Sequence, residues 1–527
     1  MRRRLPLLLA LSSVLGAIAY GCGDDPEASP GSDDAGASSS SSSGAASSSG
    51  GSSSSGGSSS GGSSSSGGSS SSSSGGDAGK DATLDASDAS DASDAAVDAY
   101  EAGPPPGPLS PTYVDYDINH VLIAGQSNAI AASATPVLTT AQPYGNVMLN
   151  GGVLRSAFAP ITSFVPMVES GRESSTSGFA NQATYLAMQE YEFGARAGYP
   201  DKHDVLAGIH GRSGHTYWCL RKGGCDWQPS TAFAQALFEV QGAKNYADGL
   251  GKSYVVRGIN AIHGESDDDD YTMHGGNPTE YPNTGTDGTP NKIKNYDDAL
   301  VEWQEDYERE IKAITGQAQP IPLFISQLSG RTYTTYSPVA PMQLKAHVRA
   351  PGKVVLIGPA YQLTFLSDCQ HFTNHGQRRL GEYFAKVYAR VIFGGEKWEP
   401  VRPKMITRVG TVVTVQYHVP KPPLVLDTMR ITNPGRYGFD FYDGSASPPS
   451  ITGVAVTAPD TVTITLSKVP TGPKPRLTYA ENAAPQPNAC PGDPFGARGN
   501  LRDSDDTVSR SGYELFNWGV IFDEVVP

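Results

Sequence analysis

The stretch His120-Val121-Leu122-Ile123-Ala124-Gly125-Gln126-Ser127-Asn128 (HVLIAGQSN) decides the fold. Val121 to Ala124 is a continuous apolar run, which suits a strand buried on both faces of a sheet, and it stops abruptly at four small or polar residues. This predicts a turn carrying Ser127 at the carboxyl end of the strand. In open α/β sheets ligands bind at that edge, because the loops there line a crevice and the following helices begin there. Ser127 is therefore a candidate nucleophile, although four such residues after a strand also make an ordinary turn. The rest of the chain has to decide.

Working outward, strand-like runs alternate with helical spacing as far as about Phe393. Further strands are expected at Val205 to Ile209, Val255 to Ile262, Ile321 to Ile325 and Val354 to Ile357, with helices over Phe179 to Tyr191, Phe233 to Tyr246, Tyr296 to Ile314 and Leu380 to Val391. Such alternation implies an α/β fold with a parallel sheet covered on both faces. After Trp398 the period changes to two, as in Val413, Val415, Tyr417 and Val419 and again in Val462, Ile464 and Leu466, which reads as a β-sandwich. Gly499 to Asp505 and Tyr513 to Phe522 read as a closing loop and a final strand, with Trp518 in the core.

Four expected strand ends carry unusual residues: Ser127; the glycine-rich Gly211-Arg212-Ser213-Gly214-His215-Thr216; His263-Gly264-Glu265-Ser266-Asp267; and Ser367-Asp368-Cys369-Gln370-His371. Acyl transfer needs an activated hydroxyl, an imidazole base, a carboxylate to orient it, and donors for the oxyanion. All four parts are present, and Asp368 and His371 are close enough for one loop to supply both acid and base. Glu265 either shares the acid role or orients the structure by hydrogen bonding.

GQSN after the first strand, a glycine-rich second block, HGESD and a DxxH before a terminal helix together resemble the SGNH hydrolase superfamily, in the branch of sialate O-acetylesterase-like and acetylxylan esterase-like carbohydrate esterases. The resemblance spans roughly Tyr113 to Phe393. It implies a flavodoxin-like three-layer α/β fold, Ser127 as nucleophile, His371 as base and Asp368 as its acid. It also implies an oxyanion hole from the N–H groups of Ser127 and Gly214 with His263, support from Gln126, Asn128 and Glu265, and no cofactor or metal. One departure stands out: the third block usually begins with glutamine, which helps hold the oxyanion, and here His263 takes that place. An imidazole N–H can also donate, and losing such a donor costs about a hundredfold or more in rate.

The amino terminus supplies an address. Arg2, Arg3 and Arg4 precede an apolar run from Leu5 to Ala19 and then Ala19-Tyr20-Gly21-Cys22, which resembles a bacterial lipoprotein signal with Cys22 lipidated; a plain secretory signal is the other reading. From Gly23 to Pro111 the chain is Ser/Gly-rich, then Asp-Ala-Ser repeats, then prolines, a composition that predicts a disordered tether. The expected division is therefore 1–22 signal, 23–111 linker, 112–397 esterase domain and 398–527 β-sandwich domain.

Thirteen acidic residues against Lys80 give the linker −12 of the total charge of −15, the three leader arginines add +3, and −6 is left for the remainder. That mild acidity carries no basic footprint for nucleic acid. The expected partners are acetylated carbohydrate and, through the lipid alone, a membrane. Four cysteines remain besides Cys22, with Cys219–Cys225 and Cys369–Cys490 the preferred pairing and a zinc site the rival, unsupported by any CxxC. His371 and His375 could be metal ligands by spacing, and Asp267 to Asp270 reads as a solvated loop with cation binding as the alternative. Two other functions stay open: a non-catalytic carbohydrate-binding surface protein, and a lipase or thioesterase on the same fold.

Overall fold

The computed structural model describes residues 107–194, 202–225, 231–273, 281, 283–329, 337–481 and 498–527. The expected signal, Cys22, the linker as far as residue 106, and Cys490 lie outside them.

HVLIAG falls in strand β1, Ile118–Gly125, buried at every position. There follow β2 (Val147–Leu149), β3 (Phe164–Pro166), α1 (Ser175–Gln189), β4 (Val205–Gly211), α2 (Tyr217–Leu220), α3 (Thr231–Gly249) and β5 (Tyr254–Ile262). Then come α4 (Glu265–Met273), α5 (Tyr296–Thr315), β6 (Leu323–Gln327), α6 (Val339–Arg349), β7 (Val354–Pro359) and α7 (Asn374–Tyr388). The seven strands form one sheet in the order β3-β2-β4-β1-β5-β6-β7, parallel except for β3.

Alternate side chains of a strand point to opposite faces, so β1 feeds two cores. Val121 and Ile123 pack with Phe179 of α1 and Leu380 and Phe384 of α7. Leu122 and Ala124 belong with Phe233 of α3, Trp303 of α5 and Leu344 of α6. Each fully buried aliphatic side chain of this kind contributes about 1.5–3 kcal/mol. Both α1 and α7 begin at the carboxyl edge of the sheet, where Ser174 accepts from Thr176 N–H (3.2 Å) and Thr373 from Gly376 N–H (3.0 Å), caps that stop each helix at the crevice.

The second half contains β8 (Arg402–Val409), β9 (Val412–His418), β10 (Val425–Leu426), β11 (Phe439–Tyr442), β12 (Ile451–Ala458), β13 (Thr461–Leu466), β14 (Arg476–Tyr479), β15 (Leu501–Arg502) and β16 (Phe522–Val525). These pair antiparallel as β12-β13-β9-β8, β11-β14-β16 and β10-β15. The alternating residues Val413, Val415, Tyr417, Val462, Ile464 and Leu466 point inward, and they join the apolar cluster that holds Leu122 and Trp303. Trp518 is buried, but Tyr513 to Ile521 is not a strand; the last strand is β16. That segment instead runs along the carboxyl edge of the parallel sheet. Ile521 N–H donates to Gln327 Oε1 (2.7 Å), Gln327 Nε2 returns a bond to the Ile521 carbonyl (2.8 Å), and Tyr361 OH donates to the Gly519 carbonyl (2.7 Å).

Candidate active site

The turn after β1 needs its glycine. Gly125 sits at φ +140°, and a Cβ there would lie 2.0 Å from the Ile262 carbonyl oxygen, because β1 and β5 run side by side up to this point. Ser127 follows and is buried. Among the described residues, the N–H groups of Ser127 and Gly214 have no acceptor. That is the condition required of donors awaiting a ligand oxygen. Gly214, at φ +69°, lies in the exposed turn after β4, with nothing within 4 Å of where a Cβ would stand.

Asn128 is the bracket that assembles the site. Its Nδ2 donates to Glu265 Oε1 (2.6 Å) and to the Gln370 carbonyl (2.9 Å), and its Oδ1 accepts the Phe372 N–H (3.2 Å). Gln377 Nε2 of α7 holds its carbonyl (2.9 Å). A single side chain next to Ser127 thus grips the backbone on both sides of His371, more than two hundred residues away along the chain. Gln126 does the same for the third block, accepting the Ser266 N–H at 3.1 Å.

The DxxH loop is a preformed dyad. His371 Nδ1 lies 2.7 Å from Asp368 Oδ2, and Asp368 Oδ1 accepts the N–H groups of Gln370 and His371, each at 2.9 Å. The bond to Asp368 raises the His371 pKa against the opposing pull of partial burial. Burial pushes Asp368 upward, but the bonds from His371 and Gln370 overcome it and hold the carboxyl down at about 2. Asp368 therefore stays ionised and fixes Nδ1 as the protonated nitrogen, which leaves Nε2 with a lone pair able to accept a proton. Among the described residues no hydrogen bond joins Ser127 Oγ to the His371 ring; the link between the two segments runs through Asn128, which bonds the residues on either side of His371. Glu265 Oε1 accepts from Asn128, and its charge also acts on His371, raising the pKa alongside Asp368, whose carboxylate bonds the ring directly.

His263 departs from the oxyanion role expected of it. The ring is buried, Nε2 lies 3.1 Å from the His215 carbonyl and Nδ1 2.8 Å from Tyr296 OH. A carbonyl can only accept, so Nε2 carries the proton, and burial lowers the pKa to about 4, which keeps the ring neutral. Both nitrogens are engaged, and the ring ties the Gly214 loop down instead of presenting a donor to substrate.

The acidic run after it is also different from the solvated loop expected. It opens α4, and Asp267 and Asp268 are fully buried. Asp267 accepts Tyr217 N–H (2.9 Å) and Tyr281 OH (2.9 Å), and Asp268 accepts Ser337 Oγ. These carboxylates tie the start of α2, Tyr281 and Ser337 to α4.

His375 Nδ1 lies 2.6 Å from Tyr513 OH, in a segment that is irregular where a final strand is expected. Arg379 donates to the neighbouring Glu514 carbonyl (2.8 Å). The carboxyl-terminal segment therefore packs on the first turns of α7, just beyond the dyad. Cys219 and Cys225 are disulfide-bonded, and so is Cys369, within the DxxH loop itself.

No family model matches the chain, and no curated relative matches it. Among solved structures it is similar to a carbohydrate acetylesterase from Xanthomonas citri, at 15% identity and a TM-score of 0.43 over 77% of this chain and 80% of that one. A protein from Arabidopsis thaliana matches at 15% identity and a TM-score of 0.31, over 51% of this chain and 97% of that one.

Proposed function

We propose that the protein is a serine esterase that removes acetyl or similarly short acyl groups from carbohydrate. The carrying observation is the Asn128 bracket, which joins the turn bearing Ser127 to an ionised acid and its imidazole. In the mechanism, Ser127 Oγ attacks the ester carbonyl while His371 Nε2 accepts its proton. The N–H groups of Ser127 and Gly214 hold the oxyanion, and His371 then protonates the departing sugar oxygen. Water, deprotonated by the same nitrogen, attacks the acyl-enzyme; the bond to Ser127 Oγ breaks, His371 returns the proton to that oxygen, and the acid is released.

Leaving aside the three-residue edge strand β2, the parallel strands run β4-β1-β5-β6-β7, which is 2-1-3-4-5 when they are numbered among themselves, and this order supports a flavodoxin-like SGNH architecture. The paired antiparallel sheets support a β-sandwich beside it. Carbohydrate as substrate and the small acyl group rest on the motif resemblance. So do membership of the SGNH superfamily and export as a lipoprotein anchored through Cys22. The division at 22, 111 and 397 is part of the same reading.

Purified protein should hydrolyse 4-nitrophenyl acetate, and Ser127→Ala should reduce the rate to background. Equal background rates in both would favour a non-catalytic carbohydrate binder. A preference for long acyl chains would favour a lipase or thioesterase.

A further inference from the structure

Trp303, Trp398 and Trp518 are buried, and Trp218 alone among the described tryptophans keeps exposed surface. It belongs to α2, four residues beyond Gly214, a length of chain that reaches at most about 14 Å. The ring is held in place from every side of its backbone. The preceding Tyr217 gives its N–H to Asp267 (2.9 Å) and its hydroxyl to Glu302 (2.7 Å), and the following Cys219 is bonded to Cys225. The Arg221 guanidinium lies 3.6 Å from the ring centroid, and is itself fixed by the Thr284 carbonyl (2.8 Å) and Glu302 (3.5 Å). Among the described residues the Trp218 indole N–H has no acceptor.

An indole pinned this firmly and yet left part-exposed is organised for something outside the protein. We propose that Trp218 is a stacking platform for a neutral pyranose unit next to the one that carries the ester. The apolar C–H face of a pyranose packs on an aromatic face, and the free N–H can donate to one of its hydroxyls. Arg221 backs the ring, so little side-chain freedom is lost when the sugar docks. The chain length keeps the platform within about 14 Å of the Gly214 turn, which is within reach of a sugar unit neighbouring the esterified one. This inference rests on the carbohydrate-esterase reading above and names the subsite that would favour an oligosaccharide over a simple ester.

The test uses the whole protein with acetylated xylo-oligosaccharides and, separately, 4-nitrophenyl acetate. Trp218→Ala should lower kcat/KM on the oligosaccharide about tenfold more than on the aryl ester, mainly through KM, and Trp218→Phe should recover most of the loss. Equal effects on the two substrates, or none on the oligosaccharide, would overturn the platform. A binding arm separates this from the parent reading: calorimetry of the same oligosaccharides with Ser127→Ala, with and without Trp218→Ala. A Kd about tenfold weaker in the double variant supports the platform; an unchanged Kd, or no binding by Ser127→Ala, refutes it. Absence of aryl ester hydrolysis by the unsubstituted protein would sink the esterase reading and leave the calorimetry to decide the platform.

Discussion

Two histidine–aspartate pairs stand at the same edge of the sheet in opposite environments. His263 and Asp267 lie 3.5 Å apart with both side chains fully buried, whereas His371 and Asp368 lie 2.7 Å apart with side chains 22% and 46% exposed. Burial drives the first imidazole's pKa down to about 4, and the bond to Asp368 drives the second up. Residue type and proximity are alike in the two pairs. What differs is solvent access and whether the carboxylate bonds to the ring directly, so one imidazole is a strut and the other can move a proton.

Substituting each member should expose that difference. His371→Gln should show the largest effect, a loss of about 10⁴-fold or more in kcat with little change in thermal stability, measured by steady-state kinetics and calorimetric Tm. Asp368→Asn should follow at about 10³–10⁴-fold, because Nδ1 would lose the acceptor that fixes the tautomer. Asn128→Ala should cost about a hundredfold in kcat by loosening the backbone around His371, with KM for a small ester little changed. His263→Gln should invert the pattern: at most about tenfold in kcat, with about 1–3 kcal/mol lost from stability as Tyr296 OH and the His215 carbonyl lose partners. If His263→Gln proved as damaging to kcat as Asn128→Ala, its imidazole would have to be returned to the oxyanion hole.

The two pairs should also separate by pH. His371 must be neutral to act as a base, and its pKa is raised, so the acid limb of kcat/KM should have its midpoint above 6.5. His263 is depressed, so between pH 6.5 and about 4 the unfolded chain binds a proton that the folded protein refuses. Its contribution to stability is present above pH 6.5 and is lost as the pH falls through that window. The fall in Tm from pH 7 to 5 should be smaller in His263→Gln than in the unsubstituted protein. An identical fall would mean that His263 is not the buried neutral group described.

The parallel sheet was readable because fully buried strands such as VLIA and VLAGI stop at glycine-rich turns, and the amphipathic α5 and α7 carry long regular spacings. The order of the blocks made Ser127, Gly214, Asp368 and His371 visible together. What stayed hidden depends on contacts across the fold. The acidic run Asp267 to Asp270 has the composition of a solvated loop, and the burial of Asp267 and Asp268 becomes favourable through donors such as Tyr217, Tyr281 and Ser337, which lie elsewhere in the sequence. His263 occupies a motif position, but the direction its nitrogens face is set by Tyr296 and His215, to which the motif makes no reference. The segment near Tyr513 has no repeating pattern because it packs as irregular chain on α7. Asn128 was visible as a motif residue, and its bracket could not be read without the loop it grips.

The central claim is that Ser127 is a nucleophile made reactive by His371, and covalent trapping tests it most directly. Protein treated with a fluorophosphonate and mapped by peptide mass spectrometry should carry one adduct, on Ser127, and His371→Gln should abolish that labelling while remaining folded. Labelling at another residue, no labelling, or labelling of Ser127 at an undiminished rate in His371→Gln would contradict the account.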